Sequence, residues 1–296
     1  MTDVVVLMAY GSPDRVEDVP AYYADIRGGR PVRPELLAEL IERYRQLGIE
    51  ESNPLNAITE ATRAALEGEL GLPVLTGMKH WTPRIAEAAQ AALAIGADRI
   101  AGLVLAPHYS RLSIGGYRQQ LEEALAGRAE LAFVESWHLE PGFIELLARR
   151  VTTRRASNSH VVFTAHSLPA RILAAGDPYQ VQLLETSTAI AQAVGLREWS
   201  FSYQSESPTG EPWLQPDILD HLATLREQGV EEVLLCPVGF VADHLEIRWD
   251  LDTEAAERAR QLGLRLDRIE MPNADPAFIR ALAAVVDRAL AVPSTV

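Results

Sequence analysis

An α/β fold of two similar doubly wound parallel sheets, with a cleft between them, is the architecture this sequence predicts. Three observations carry the prediction. Short Val/Ile/Leu runs alternate with Ala-rich segments of helical period along the chain. The apolar runs are near-continuous, which fits strands covered on both faces as in parallel sheets. The two halves also echo each other. Val5-Val6-Leu7-Met8-Ala9-Tyr10-Gly11-Ser12-Pro13 is similar to Val161-Val162-Phe163-Thr164-Ala165-His166-Ser167-Leu168-Pro169, and Leu103-Val104-Leu105-Ala106-Pro107 to Val233-Leu234-Leu235-Cys236-Pro237.

In chain order, the apolar run at 4–9 opens the first half as a strand. The Gly- and Pro-rich stretch 25–34 reads as a loop, and helices follow at 33–46 and 57–70. Strands at 73–76, 99–106 and 131–134 alternate with helices at 82–95, 116–126 and 141–151. Arg154-Arg155-Ala156-Ser157-Asn158-Ser159 is polar and reads as a linker, which divides the chain into 1–155 and 156–296. The second half repeats the alternation, with strands at 160–165, 199–203, 232–238 and 265–269. Its helices fall at 180–194, 216–228, 246–262 and 276–290. In open parallel sheets ligands bind beyond the carboxyl ends of the strands. That rule puts Tyr10, His108, His166 and the turn 239–246 on one side of their sheets.

Composition narrows the function. The 296 residues are 48% hydrophobic, enough for a substantial core, and the net charge of −14 argues against nucleic-acid binding. The one cysteine, Cys236, excludes internal disulfides and Cys-built zinc or iron–sulfur sites, and its apolar neighbours make it a buried small residue. No signal-like leader precedes Val4, and no apolar run approaches the ~20 residues of a membrane span. A soluble cytoplasmic protein is expected. Lys79 is the only lysine, so anion recognition falls to arginine, which grips carboxylates through two hydrogen bonds. Gly28-Gly29 and Gly115-Gly116 are turn signals without a dinucleotide or Walker pattern, so neither NAD nor ATP is expected.

The chemistry concentrates in Pro237-Val238-Gly239-Phe240-Val241-Ala242-Asp243-His244-Leu245-Glu246, a strand end, a turn and the start of a charged helix. Glu246, Asp250 and Glu254 follow at intervals of four, on one face of an α-helix over roughly 12 Å. Such a line is either a track for cations or protons, or a solvated acidic face with Arg248 and Arg258 as partners. His166, directly after an apolar strand, is either a metal ligand or proton carrier, or a core histidine satisfied by its turn. One imidazole and one carboxylate suit a loosely held first-row divalent ion, and His166 with Glu246 supplies that pair. His244, His80 and His108 each have a structural reading as well. Ser167 lacks the flanking glycines of a nucleophile elbow. The basic stretch Arg27-Gly28-Gly29-Arg30-Pro31-Val32-Arg33, followed by Arg43-Tyr44-Arg45, fits either a ligand with several carboxylates or ordinary solvated arginines.

Together these segments resemble the ferrochelatase family, which inserts ferrous iron into porphyrins. The resemblance runs over nearly the whole chain. It rests on Met8–Pro13, Ser136-Trp137, Thr164–Pro169, Gly176-Asp177-Pro178-Tyr179, Tyr203-Gln204-Ser205, Pro212–Asp217, 237–246 and Glu270-Met271-Pro272-Asn273. It implies two Rossmann-like domains with the porphyrin between them and a metal site at His166 and Glu246. Asp250 and Glu254 would continue that site for metal delivery or proton removal, with a second divalent cation as an option on this line. Ferrous iron would be substrate, with no prosthetic group.

Within the family the chain is most similar to compact bacterial forms associated with coproporphyrin III. That implies Tyr10 near the iron, Arg27 and Arg43 on propionates, and Tyr44 and Tyr117 lining the site. Tyrosinate is a known axial ligand of haem iron. Gly28 replaces an arginine common in relatives, and His138 stands where a phenol is frequent. Either Ser52 or Asn53 would take a propionate contact. A protoporphyrin IX ferrochelatase, a chelatase for another tetrapyrrole and a non-catalytic porphyrin carrier are the alternative functions. The next enzyme of haem synthesis is an expected transient partner.

Overall fold

In the computed structural model, residues 2–48, 54–206 and 210–292 are described. The first half carries β1 (Asp3–Ala9), α1 (Val19–Ile26), α2 (Pro34–Gln46), α3 (Pro54–Leu70), β2 (Val74–Met78) and α4 (Ile85–Ala94). It continues through β3 (Arg99–Val104), α5 (Ile114–Leu125), β4 (Glu130–Phe133) and α6 (Pro141–Arg154). The second carries β5 (His160–His166), α7 (Arg171–Ala174), α8 (Tyr179–Val194), β6 (Trp199–Gln204), α9 (Ile218–Glu227) and β7 (Glu232–Cys236). A π-helix (Ile247–Ala255), α10 (Ala256–Leu262), β8 (Arg265–Arg268) and α11 (Pro276–Ala291) complete it.

The strands form two four-stranded parallel sheets, ordered β2-β1-β3-β4 and β6-β5-β7-β8. The windings are identical, so the sequence echo has a structural counterpart: β1 and β5 are the second strands of their sheets. All eight sequence-predicted strands are present. Their apolar continuity follows from burial on both faces, with Val4, Val5, Val6, Leu7 and Met8 fully inaccessible and Val161, Val162 and Phe163 likewise.

Three local expectations change. Residues 19–26, which carried no helix prediction, form α1, so the expected loop begins two residues later than 25. The segment starts at Val19-Pro20 and buries only Val19 and Tyr22, too few apolar positions to mark a helical period. The short α7 was also missed. The predicted α-helix 246–262 is a π-helix to Ala255 and α-helical only from Ala256. Ser52 and Asn53 lie outside the described residues.

The lobes are joined by more than the chain linker. Loops of the first lobe bond to α8 and the turn before it: His108 Nε2 meets Thr186 Oγ1 at 2.9 Å, Tyr109 N donates to Gln182 Oε1 at 2.7 Å, and Ser110 Oγ donates to Asp177 Oδ2 at 3.0 Å. The final helix, α11, packs on α3 and α6 and touches β3 and β4 of the first sheet. Its Phe278 ring lies 5.9 Å from Trp137 and 6.3 Å from Phe143.

Candidate active site

His166 is the last residue of β5, in register with Gln204 of β6. Its Nδ1 hydrogen-bonds the Ser167 carbonyl, and its backbone carbonyl accepts from Tyr179 Oη at 3.0 Å. Ring orientation is therefore fixed from behind, leaving Nε2 forward. The next strand, β7, ends at Cys236, and the chain turns through Gly239. A Cβ there would lie 2.5 Å from Ala165 Cβ, so only glycine lets this turn close onto the end of β5. The closure brings Glu246 Oε1 to 3.6 Å from His166 Nε2. The two candidate metal residues, 80 positions apart, thus meet, and both stay accessible, with side chains 30% and 38% exposed.

His244 joins them. Its Nε2 is 3.5 Å from Glu246 Oε2, and its Nδ1 hydrogen-bonds the Ala242 carbonyl at 2.9 Å. One carboxylate is therefore flanked by two imidazoles. Burial would raise Glu246, but His166 and His244 outweigh it and hold the carboxyl at about 2. Burial likewise opposes His244, and the bond and charge of Glu246 prevail to raise it.

Behind Glu246 the acidic line runs along the π-helix. Thr253 Oγ1 donates to the Arg248 carbonyl five residues back at 2.9 Å, a local lock on the wide turn. Asp250 is buried and accepts a hydrogen bond from Ser205 Oγ. Burial first and the Glu246 charge second push Asp250 up to about 6. Glu254, at the outer end, lies 3.7 Å from Arg43 Nη2. Among the described residues no group of three His, Cys, Asp or Glu side chains is arranged to hold a metal. Glu246, Asp250 and Glu254 are thus successive single carboxylates, and the optional second cation gains no support.

The first lobe supplies the facing wall. Tyr10 follows β1 and remains 42% exposed, its ring 4.6 Å from that of His80. Desolvation first and the Glu246 charge next raise its phenol above the ordinary value. Tyr44 is buried with its hydroxyl 2.9 Å from Ser12 Oγ; burial pushes it up to about 12, with Glu246 contributing. Val19 and Tyr44 pack with Leu37, Leu40, Ile41 and Leu245, so α1 and α2 close down beside Glu246. Tyr117 is buried under Lys79, whose Nζ stands 4.8 Å over its ring.

Arg27 has its Nε buried without a hydrogen-bond partner, and its guanidinium lies 6.0 Å from the Tyr23 ring. Arg43 is committed differently. It bonds Glu39 at 2.7 Å, approaches Glu254, and stacks 5.2 Å from the Trp249 ring. An arginine of α2, Arg43, therefore neighbours the acidic face.

The remaining candidates have local work. His80 Nδ1 lies 2.9 Å from Asp25 Oδ2, which also accepts from Arg84. His108 is buried against Thr186 rather than open to the cleft. Ser167 is buried and donates to the Leu214 carbonyl at 2.9 Å, which removes the hydrolase reading. His138 bridges Ser136 and Glu185 at 2.7 and 2.8 Å. Shallow depressions around Leu139, Pro141 and Ile144 share no lining residue with the His166 group. Sequence reasoning left His244 open; its place two residues before Glu246 was the available signal.

The ferrochelatase family model matches residues 2–290. The chain belongs to the ferrochelatase family. A ferrochelatase of Herpetosiphon aurantiacus is 43% identical, over 95% of this chain and 97% of that protein. A coproporphyrin III ferrochelatase of Anoxybacillus flavithermus is 40% identical, over 95% and 94%. Among solved structures, SirB from Bacillus subtilis with Fe3+ aligns with a TM-score of 0.61 at 13% identity, over 98% of this chain and 96% of that one, which bears on the fold alone. The two-sheet architecture, tetrapyrrole metal insertion and ferrous iron as substrate are thus properties of the ferrochelatase family to which the chain belongs. No described helix is long and apolar enough to cross a membrane.

Proposed function

We propose that this chain inserts ferrous iron into coproporphyrin III, in the cytoplasm, with His166 and Glu246 at the centre of the reaction. The observation that carries the reading is the open His166–Glu246 pair at the carboxyl end of β5, whose carboxylate charge reaches Tyr10. A planar porphyrin hides two pyrrole N–H groups, so iron enters only as the ring buckles and those protons leave. Contacts to remote propionates would hold the distorted ring, using binding energy away from the reacting centre. His166 Nε2 would take a pyrrole proton or hold the iron, and Glu246, ionised at any working pH, would share that cation or proton. Asp250, poised near neutrality, would pass protons on toward Glu254 and solvent. A carrier needs no such line, which favours an enzyme.

Coproporphyrin, with four propionates, is favoured by several similar proteins that carry its name and by the unpartnered Nε of Arg27. Arg43, Tyr44 and Tyr117 would complete the porphyrin wall. The division into domains 1–155 and 156–296, and a transient handover to the enzyme that takes the product, belong to the same proposal.

An anaerobic insertion assay with ferrous iron tests it. Arg27→Ala is expected to weaken coproporphyrin III about tenfold, roughly one charge-assisted hydrogen bond, and a dicarboxylate porphyrin much less. Equal losses for both would refute the propionate grip.

A further inference from the structure

The turn that carries His244 and Glu246 is held by two side chains from the segment after β7 that the reaction does not otherwise use. Asn273, between β8 and α11, sits at φ +50 and donates its backbone N–H to the Val241 carbonyl at 2.7 Å. Its side chain makes a reciprocal pair with Asp243. Asp243 N donates to Asn273 Oδ1 at 2.9 Å, and Asn273 Nδ2 donates to Asp243 Oδ2 at 2.8 Å. The other oxygen of Asp243 accepts from Arg268 Nη2 at 3.2 Å. Arg268 also forks onto Asp252, Nε to Oδ1 at 2.7 Å and Nη2 to Oδ2 at 2.9 Å, while Nη1 donates to the Ile269 carbonyl at 2.9 Å. Asp252 lies in the π-helix between Asp250 and Glu254.

One guanidinium therefore ties the turn before Glu246 to the π-helix after it, and one asparagine pins that turn to the loop behind. Both side chains of the Arg268–Asp243 pair are under a quarter exposed, at 17% and 22%, so solvent screens it less than a surface pair. Lysine could not reproduce the two-carboxylate fork. The brace opposes the freedom this stretch would otherwise have: a π-helix is a poorly populated conformation, and Glu246 sits at its entrance.

We propose that Arg268 and Asn273 are positioning residues for metal insertion, holding Glu246 within reach of His166 and keeping Asp250 and Glu254 in line behind it. The inference rests on the assignment of insertion to His166 and Glu246.

The test uses the full chain with Asn273→Gly, which tolerates positive φ but deletes both side-chain bonds, and Arg268→Lys, which keeps a charge but not the fork. Porphyrin affinity is read by tryptophan fluorescence quenching, and kcat and KM for ferrous iron by the anaerobic assay, well below each variant's Tm. Each variant is expected to keep porphyrin affinity within about twofold while kcat/KM for iron falls about tenfold, the scale of a small misplacement of a reacting group. Adding Asn273→Gly to Glu246→Gln should then cost little more than Glu246→Gln alone. Unchanged kcat and KM for iron with only a lower Tm would overturn the proposal, as would porphyrin affinity falling in parallel with turnover. Wild-type turnover in Glu246→Gln alone would instead remove the underlying assignment, and the brace with it; an impaired Glu246→Gln beside an unimpaired Asn273→Gly would remove only the brace.

Discussion

Glu246 is the residue on which the charges converge. Two imidazoles and burial set it against Asp250, the next carboxylate, in opposite senses. Glu246 is held at about 2 while Asp250 is lifted to about 6. Neighbouring acids pushed apart in this way take different roles, one permanently charged and one able to exchange a proton near neutrality. The sign for Asp250 is definite. A raised carboxyl keeps its proton below about pH 6 and becomes an acceptor only above it, so insertion should accelerate as pH rises through that value. Asp250→Asn is expected to flatten this limb and to lower the rate above pH 7 by about tenfold or more, the low end of general-base effects; a pH–rate profile of both proteins checks it. His166 and Glu246 were legible because each follows an apolar strand at a place where parallel sheets bind ligands. His244 was only half legible, since nothing in its neighbours says that its ring folds back onto Glu246. The approach of Arg43 to Glu254 was not legible, because it joins residues from different lobes.

The decisive element is the stretch from β7 through the π-helix. Carboxylates at intervals of four announce a helix, but side-chain spacing does not tell an α-helix from a π-helix. The wider turn is held by the bond from Thr253 Oγ1 back to the Arg248 carbonyl, which a hydrophobic pattern does not display. The turn before it is set by close approach. Gly239→Ala would place a methyl group 2.5 Å from Ala165 Cβ and 2.9 Å from Ala165 Cα, backbone and side chain alike unable to yield cheaply. A loss of about 1–3 kcal/mol is expected from such overpacking, with insertion activity reduced further because Glu246 is displaced from His166. Thermal unfolding and the insertion rate measured on one preparation would show both effects; an unaltered rate would mean that the turn does not set the distance. The missed α1 belongs to the same lesson: it is specified by packing of Val19 with Tyr44 and α2, and of Tyr22 against Trp81 and the Gly11 carbonyl, rather than by a periodic stripe.

At the scale of the molecule, two four-stranded parallel sheets share one strand order. This much was readable, because parallel strands buried on both faces are written as continuous apolar runs and the two halves repeat them. What fixes one lobe on the other was not readable. The bonds from His108, Tyr109 and Ser110 to α8 and the turn before it are polar contacts between distant segments. The return of α11 to the first sheet depends on partners for an apolar face that many helices would match. On the proposed function the labour would divide: the first lobe would offer Tyr10, Arg27, Tyr44 and Tyr117 to a ring, and the second would offer His166, Glu246 and the acidic line to a metal. The most direct test separates those two tasks in His166→Ala, by following coproporphyrin binding through fluorescence quenching and ferrous-iron insertion through absorbance. The expected result is porphyrin affinity close to that of the unaltered protein with insertion abolished. Insertion at the unaltered rate, or loss of porphyrin binding along with it, would contradict the division.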